Sequence, residues 1–250
     1  MKIRRTFGFT LAEVLITLGI IGVVAAMTMP TLIQNQQKRS LEVATQKFYS
    51  MMSQAVKQYM ADYGVDDLRN SPLASDNYGD DYDENGDHIP ANGAIESIRD
   101  FMTKYLKVVK ECDHDANDCF APEYKGWDGK KADSNFTTDT NYDDYRDYVL
   151  ADGSIIRIGY YLTENPIELY VDINGKKGPN RIGYDLWSMS IFYDGSIDEC
   201  ELKPECKKDN ECIDANSPSE VRAWRFEGCQ QGAYGGCFGH FLENGFKFDY

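Results

Sequence analysis

A chain of 250 residues is long enough for one ordinary domain and a membrane anchor. Its 41 acidic and 26 basic residues give a formal charge of −15, which argues against a nucleic-acid partner, since such backbones are bound mainly by Lys and Arg. Seventeen Tyr and 12 Phe supply side chains that a β-rich domain packs well.

The first element is apolar. Lys2, Arg4 and Arg5 precede a stretch of 25 residues, Phe9 to Ile33, whose one charge is Glu13. About 20 helical residues cross a bilayer core, and flanking basic residues stay on the cytoplasmic side. The acidic remainder is therefore expected outside, in the periplasm or beyond. A cleaved secretory signal has a shorter apolar core of roughly 7–15 residues; Val24 and Ala26 offer a cleavage site, but Glu13 is then misplaced. A plain signal anchor explains the length and the basic flank, but not Glu13.

The stretch "GFTLAE" closely resembles the processing signal of type IV pilins and of the pseudopilins of type II secretion. The resemblance implies a basic leader, Met1 to Gly8, removed by prepilin peptidase, and a new N-terminus, Phe9, that is N-methylated. Glu13 then stands fifth in the mature chain, where the family has glutamate, and Pro30 stands 22nd, where many pilins have proline. The implied fold is one long helix on an antiparallel sheet. The implied role is assembly with itself and other pilins, from membrane lipid through an inner-membrane platform.

The resemblance gives Glu13 a purpose. A carboxylate within a membrane costs roughly 2.5–3.5 kcal/mol on insertion scales, so it should have a partner. Cleavage after Gly8 creates an amine on Phe9, which in a staggered filament can meet Glu13 of a neighbour. The plainer alternative is a side chain that snorkels to the head groups. Pro30 forgoes the helical bond to Ala26, and with Gly19 and Gly22 it is expected to kink or locally melt the helix.

Beyond the membrane, Leu41, Ala44, Phe48, Met51, Ala55 and Tyr59 recur at helical spacing up to Gly64, a plausible stop. Residues 9–64 thus read as a helix about 80 Å long, spanning at 9–33 and amphipathic at 34–64. Residues 65–250 read as the exported domain. Residues 65–92 look like an acidic loop, and Gly93 to Lys110 like a short amphipathic helix with Ile98, Leu106 and Val109 on one face. "YVLADGSIIRIGYY" is a hairpin signal at Asp152-Gly153, and "IELYVDING" and "LWSMSIFYDGSI" add strands. The expected fold class is α+β, a long helix on an antiparallel sheet of about four strands at about 146–200. "VDINGKKGPNRIGYDLWSMSIFYDG" also looks like a segment that recurs in pilin-like sheets. The tail, 200–250, holds most of the cysteines and ends in an aromatic, strand-like run.

All seven cysteines follow the anchor, with no C-x-x-C pair. That pattern disfavours zinc and suits disulfides in an exported domain. Connectivity stays open; nearness alone makes Cys112 with Cys119 and Cys229 with Cys237 the candidates. Calcium is the candidate ligand. Asp172, Asn174, Asn180 and Asp185 bring side-chain oxygens to one turn, as a hard cation requires, although Asn and Asp also suit an ordinary turn. Asp81, Asp83 and Asn85, followed by Gly86, match half of an EF-hand loop, but Asn92 stands where the bidentate glutamate belongs.

Catalysis finds little support. His88, His114 and His240 have no matching nucleophile motif, and a disulfide explains Cys237 better than a dyad with His240 does. The expectation is a non-enzyme, a subunit of a type IV pilus or a secretion pseudopilus. Two alternatives are a minor or competence pilin at a filament tip and an anchored calcium- or ligand-binding protein that never polymerises.

Overall fold

The computed structural model describes residues 10–73, 94–112, 119–132, 145–160, 167–199, 218–233 and 235–250. Two compact units divide the chain, Met1–Ser40 and Leu41–Tyr250. Helix α1 (Leu11–Tyr63) contributes to both and runs through Pro30 without interruption. The one hydrogen bond that proline forgoes does not end the helix, so the local melting expected there is absent.

In the first unit the apolar side chains of α1, such as Leu15, Ile16, Ile20 and Ile21, are exposed. In the second unit Phe48, Met52, Ala55, Val56 and Tyr59 are buried. This stripe is wider than the sequence spacing suggests, because Met52 and Val56 join it while Ala44 and Met51 are only half-buried. The helix stops at Gly64, whose φ is +66°. Gly64 N donates to Ala61 O and Val65 N to Met60 O, the paired bonds of a Schellman motif that closes two otherwise open carbonyls.

Helix α2 (Ala94–Tyr105) buries Ile98, Phe101 and Met102, and Phe101 meets Tyr59 edge-on at 5.6 Å. It ends five residues before the expected Lys110. Residues Val108–Glu111 instead form strand β1, which pairs antiparallel with β2 (Tyr145–Leu150), and Val109 is exposed. Tertiary pairing overrides the helical spacing here, as it does for a short run of β-branched residues offered a free sheet edge. β3 (Ile155–Tyr160), β4 (Ile167–Asp172), β5 (Leu186–Ile191) and β6 (Ile197–Glu199) follow in order. The result is a six-stranded antiparallel meander, not a sheet of about four strands.

The register sorts side chains onto two faces. Tyr148, Ile156, Val171 and Trp187 lie in one cross-strand row, all buried. The opposite face carries Asp147, Arg157, Tyr170 and Ser188 in a row. The Arg157 guanidinium bonds both Asp147 oxygens at 2.8 Å and lies 5.4 Å from the Phe120 ring centroid. The β5–β6 turn presses on α1: a Cβ on Gly195 would meet Met60 Sδ at 2.5 Å.

The described part of the tail contains two helices, which its aromatic pattern did not suggest. α3 (Pro218–Gln230) and α4 (Cys237–Glu243) are joined by the Cys229–Cys237 disulfide, and Cys112 is joined to Cys119. Cys200, Cys206 and Cys212 lie outside the described residues. The fully buried Glu199 accepts from the N–H groups of Gly236 and Gly239, so a strand supplies the carboxylate that caps α4.

Arg157→Met should destabilise the domain by about 3–5 kcal/mol, because it strands Asp147 without its cation. In urea unfolding, Asp147→Leu with Arg157→Met should lose clearly less than the single change. Equal losses would show that the pair is not a unit.

Candidate functional site

The assembly site predicted from sequence begins at Gly8 and Phe9, which lie outside the described residues. Thr10 and Glu13 are described and bonded to each other. Glu13 Oε2 accepts from Thr10 N at 2.8 Å and from Thr10 Oγ1 at 2.7 Å, while Glu13 N donates to Thr10 Oγ1 at 3.3 Å. This is a capping box: each side chain satisfies an N–H that the helix end leaves open. Thr10 is absent from the predicted site, although its T-x-x-E spacing to Glu13 carries the signal. The donors are neutral, so the cap fixes the position of the carboxylate without cancelling its charge.

Around Glu13 the helix has the composition of a membrane span. Its best 18-residue window has a mean hydropathy of 2.2, and none of that window is buried among the described residues. An apolar surface of this extent marks a membrane or a protein interface. A Cβ on Gly19 or Gly22 would meet nothing within 4 Å, so no contact among the described residues requires glycine there.

The second candidate site is the loop from β4 to β5. Asp172 ends β4 and Asp185 immediately precedes β5. Asp172 Oδ2 accepts from Tyr124 Oη at 2.5 Å, and Oδ1 from Asn174 N at 3.2 Å. Asp185 accepts from the main-chain N–H groups of Asn180 at 2.8 Å and Arg181 at 2.6 Å. The Asn174 side-chain amide donates to Gly178 O at 3.2 Å. The loop leaves no room beside Gly175, where a Cβ would lie 2.7 Å from Gly153 O. Thus Asp172, Asn174, Asn180 and Asp185 are brought into one loop and held by hydrogen bonds. Asp81, Asp83 and Asn85 lie outside the described residues.

Both carboxylates are fully buried. Burial pushes the Asp172 carboxyl up to about 7, with the nearby Asp185 charge adding to the shift, and burial pushes Asp185 up to about 6. Tyr124 is pushed upward by burial and by the charge on Asp172. The main-chain N–H groups of Arg181 and Asn180 lower the Asp185 carboxyl in part, but burial outweighs them. Among the described residues, no three His, Cys, Asp or Glu side chains form a metal-ligand group.

His240 stacks on Phe226 at 3.8 Å between ring centroids, and its Nε2 lies 3.1 Å from Asp249. The sulfur of its sequence neighbour Cys237 is in a disulfide, so the two do not form a thiol–imidazole pair. His88 and His114 lie outside the described residues.

Residues 31–193 match the model of a family of unknown function (DUF6613), more than half of the chain, and the chain belongs to that family. Residues 3–29 match the prokaryotic N-terminal methylation motif. No curated protein and no solved structure matches the chain. The chain therefore carries a pilin-type processing signal on a membrane-anchoring helix, ahead of an α+β domain with a pilin-like arrangement. Such a signal implies processing by prepilin peptidase and assembly with other pilins.

A raised carboxyl pKa in the folded state favours the protonated form. The stability it contributes is complete below the unfolded value near 4 and is lost as pH rises through the folded value. In chelator-treated protein, Asp172 and Asp185 should therefore lower stability between about pH 4 and pH 7. Melting curves of the wild type and of Asp172→Asn should show the loss flattened in the variant. Parallel profiles would mean that Asp172 titrates normally.

Proposed function

We propose that this DUF6613 member is a structural subunit of a surface pilus or a secretion pseudopilus. It is cut after Gly8, methylated on Phe9 and stored in the inner membrane with its N-terminus cytoplasmic. Its domain faces the periplasm or the exterior, and an inner-membrane platform assembles it with copies of itself. The supporting observation is the capped Glu13 at the head of an apolar helix whose membrane-length window is unburied among the described residues, inside a matched methylation motif. The cap aims a negative charge at the helix start, where processing would create an amine. An amine from a neighbouring subunit would neutralise the charge and set the stagger between helices. Nothing in this reading needs catalysis by the chain itself.

A second reading keeps the anchor but not the polymer: a membrane-held binding protein whose working part is the β4–β5 loop. The buried carboxylates Asp172 and Asp185 favour it. A tip-located minor pilin is a variant of the first reading and uses the same Glu13.

The test is to express the full chain with its assembly machinery and to collect sheared or sedimented filaments. Glu13→Ala and Glu13→Gln should both insert in the membrane and fold, yet give no filaments. Gln still offers Thr10 an acceptor, so its failure would identify the charge as the requirement. Thr10→Val should cost the helix end about 1 kcal/mol and still assemble. Filaments from Glu13→Gln at the wild-type level would contradict the pairing.

A further inference from the structure

We propose that the exposed Trp224 of one copy of this chain docks in a lysine-rimmed cleft of a second copy, where Glu220 and Glu227 pair with the lysines of the rim. This rests on the reading that copies of the chain assemble with one another, and it names the surfaces through which their domains meet.

The first surface is the outer face of α3. Of the three tryptophans, Trp187 is buried, Trp127 is half-buried and Trp224 is 48% exposed. Glu220 stands four residues before Trp224 and Glu227 three after it, so the three share one face of the helix. Both glutamates are exposed. The Arg225 guanidinium carbon lies 5.7 Å from the Trp224 ring centroid, a cation–π contact that restrains the indole. A restrained, exposed indole is the side chain that most often anchors a protein interface.

The second surface is a cleft of about 480 Å³ where β1, the β2–β3 turn and the β4–β5 loop meet. Clefts of roughly 300–1,000 Å³ take whole small molecules, so this one has room for an indole. Its apolar lining includes Val149, Ile155 and Ile173, and Lys110, Lys176 and Lys177 stand exposed around it. Asp152 is the one acid among the described lining residues, and it already accepts from Ser154 at 2.7 Å and from Lys47 at 3.4 Å. In a chain with 41 acidic and 26 basic residues, three lysines against one acid reverse the overall balance. An apolar floor inside a basic rim complements an indole between two carboxylates, and such charge matching fixes register and steers encounter.

The two surfaces lie at opposite edges of the sheet. α3 sits at the β6 edge, where Arg222 bonds Asp198 at 3.0 Å, and Lys110 belongs to β1 at the other edge. A contact between them is heterologous: each copy offers its indole to one neighbour and its cleft to another. Contacts of this kind build open filaments wherever the rotation does not close a ring.

The experiment follows the full chain by sedimentation velocity over a range of concentrations, in detergent that covers the apolar half of α1. The wild type should grow past a dimer as concentration rises, and less so when salt is raised from about 0.02 M to about 0.3 M, which shortens the screening length. Trp224→Ala should weaken association by about tenfold or more. Glu220→Lys with Glu227→Lys, and Lys176→Glu with Lys177→Glu, should each weaken it similarly, and all four changes together should restore it. The five side chains are exposed, so the variants should melt as the wild type does, and rescue by the fourfold swap excludes misfolding as the cause. A wild-type chain that stays monomeric or stops at a dimer would overturn the proposal. So would a fourfold variant that associates as weakly as either pair. Filament yield is read separately: filaments without this association refute the contact alone, and association without filaments refutes the filament reading alone.

Discussion

Hydrocarbon does not solvate a carboxylate, and Glu13 stands near the start of a helix that is apolar enough to cross a bilayer. The helix end answers part of this constraint. Thr10 donates twice to Glu13, and the N–H of Glu13 returns a bond to Thr10. These bonds hold the carboxylate at the helix start and still leave it charged. On the proposed reading the missing cation comes from another copy of the chain. The cost of one buried charge then becomes the rule for the stagger of a filament.

The α+β domain handles buried charge in several ways, and its architecture follows from them. Asp147 and Arg157 couple β2 to β3 on the polar sheet face. Glu42 on α1 holds Lys247 and the N–H of Phe248, which fastens the aromatic end of the chain to the helix. Glu199 on the edge strand caps α4. The apolar face of the sheet supplies the hydrophobic term through Tyr148, Ile156, Val171 and Trp187, while these polar ties fix which segment lies where. Among the described residues, Glu168, Asp172 and Asp185 are buried acids that accept from neutral donors, Glu168 from the Tyr145 and Tyr170 hydroxyls and the other two from Tyr124 and main-chain N–H groups.

Local signals were legible in sequence where chemistry and structure act over a few residues. Asp152-Gly153 and Asp194-Gly195 form the turns expected of them, with φ of +90° and +77° at the glycines. Gly64 ends α1 for the same reason. The edge strand β1 was not legible, because Val108 and Val109 fit a helical stripe until a partner strand some 40 residues away is known. The α3–α4 tail was illegible for a related reason: its aromatic residues serve a cluster around Trp187, with Phe241 stacked on it at 4.6 Å, and do not alternate along a strand. Of the candidate site residues, Glu13 could be picked out by type and spacing. Thr10 was also readable from T-x-x-E, whereas the role of Glu199 required the fold, since the amides it caps lie about 40 residues on.

The most direct test of the central claim is the intact mass and N-terminal sequence of the chain, expressed with and without a prepilin peptidase. The account predicts cleavage after Gly8 and a methylated Phe9 only when the peptidase is present. An uncleaved chain, or one cut after Ala26, would leave Glu13 without its partner amine and contradict the filament-subunit account.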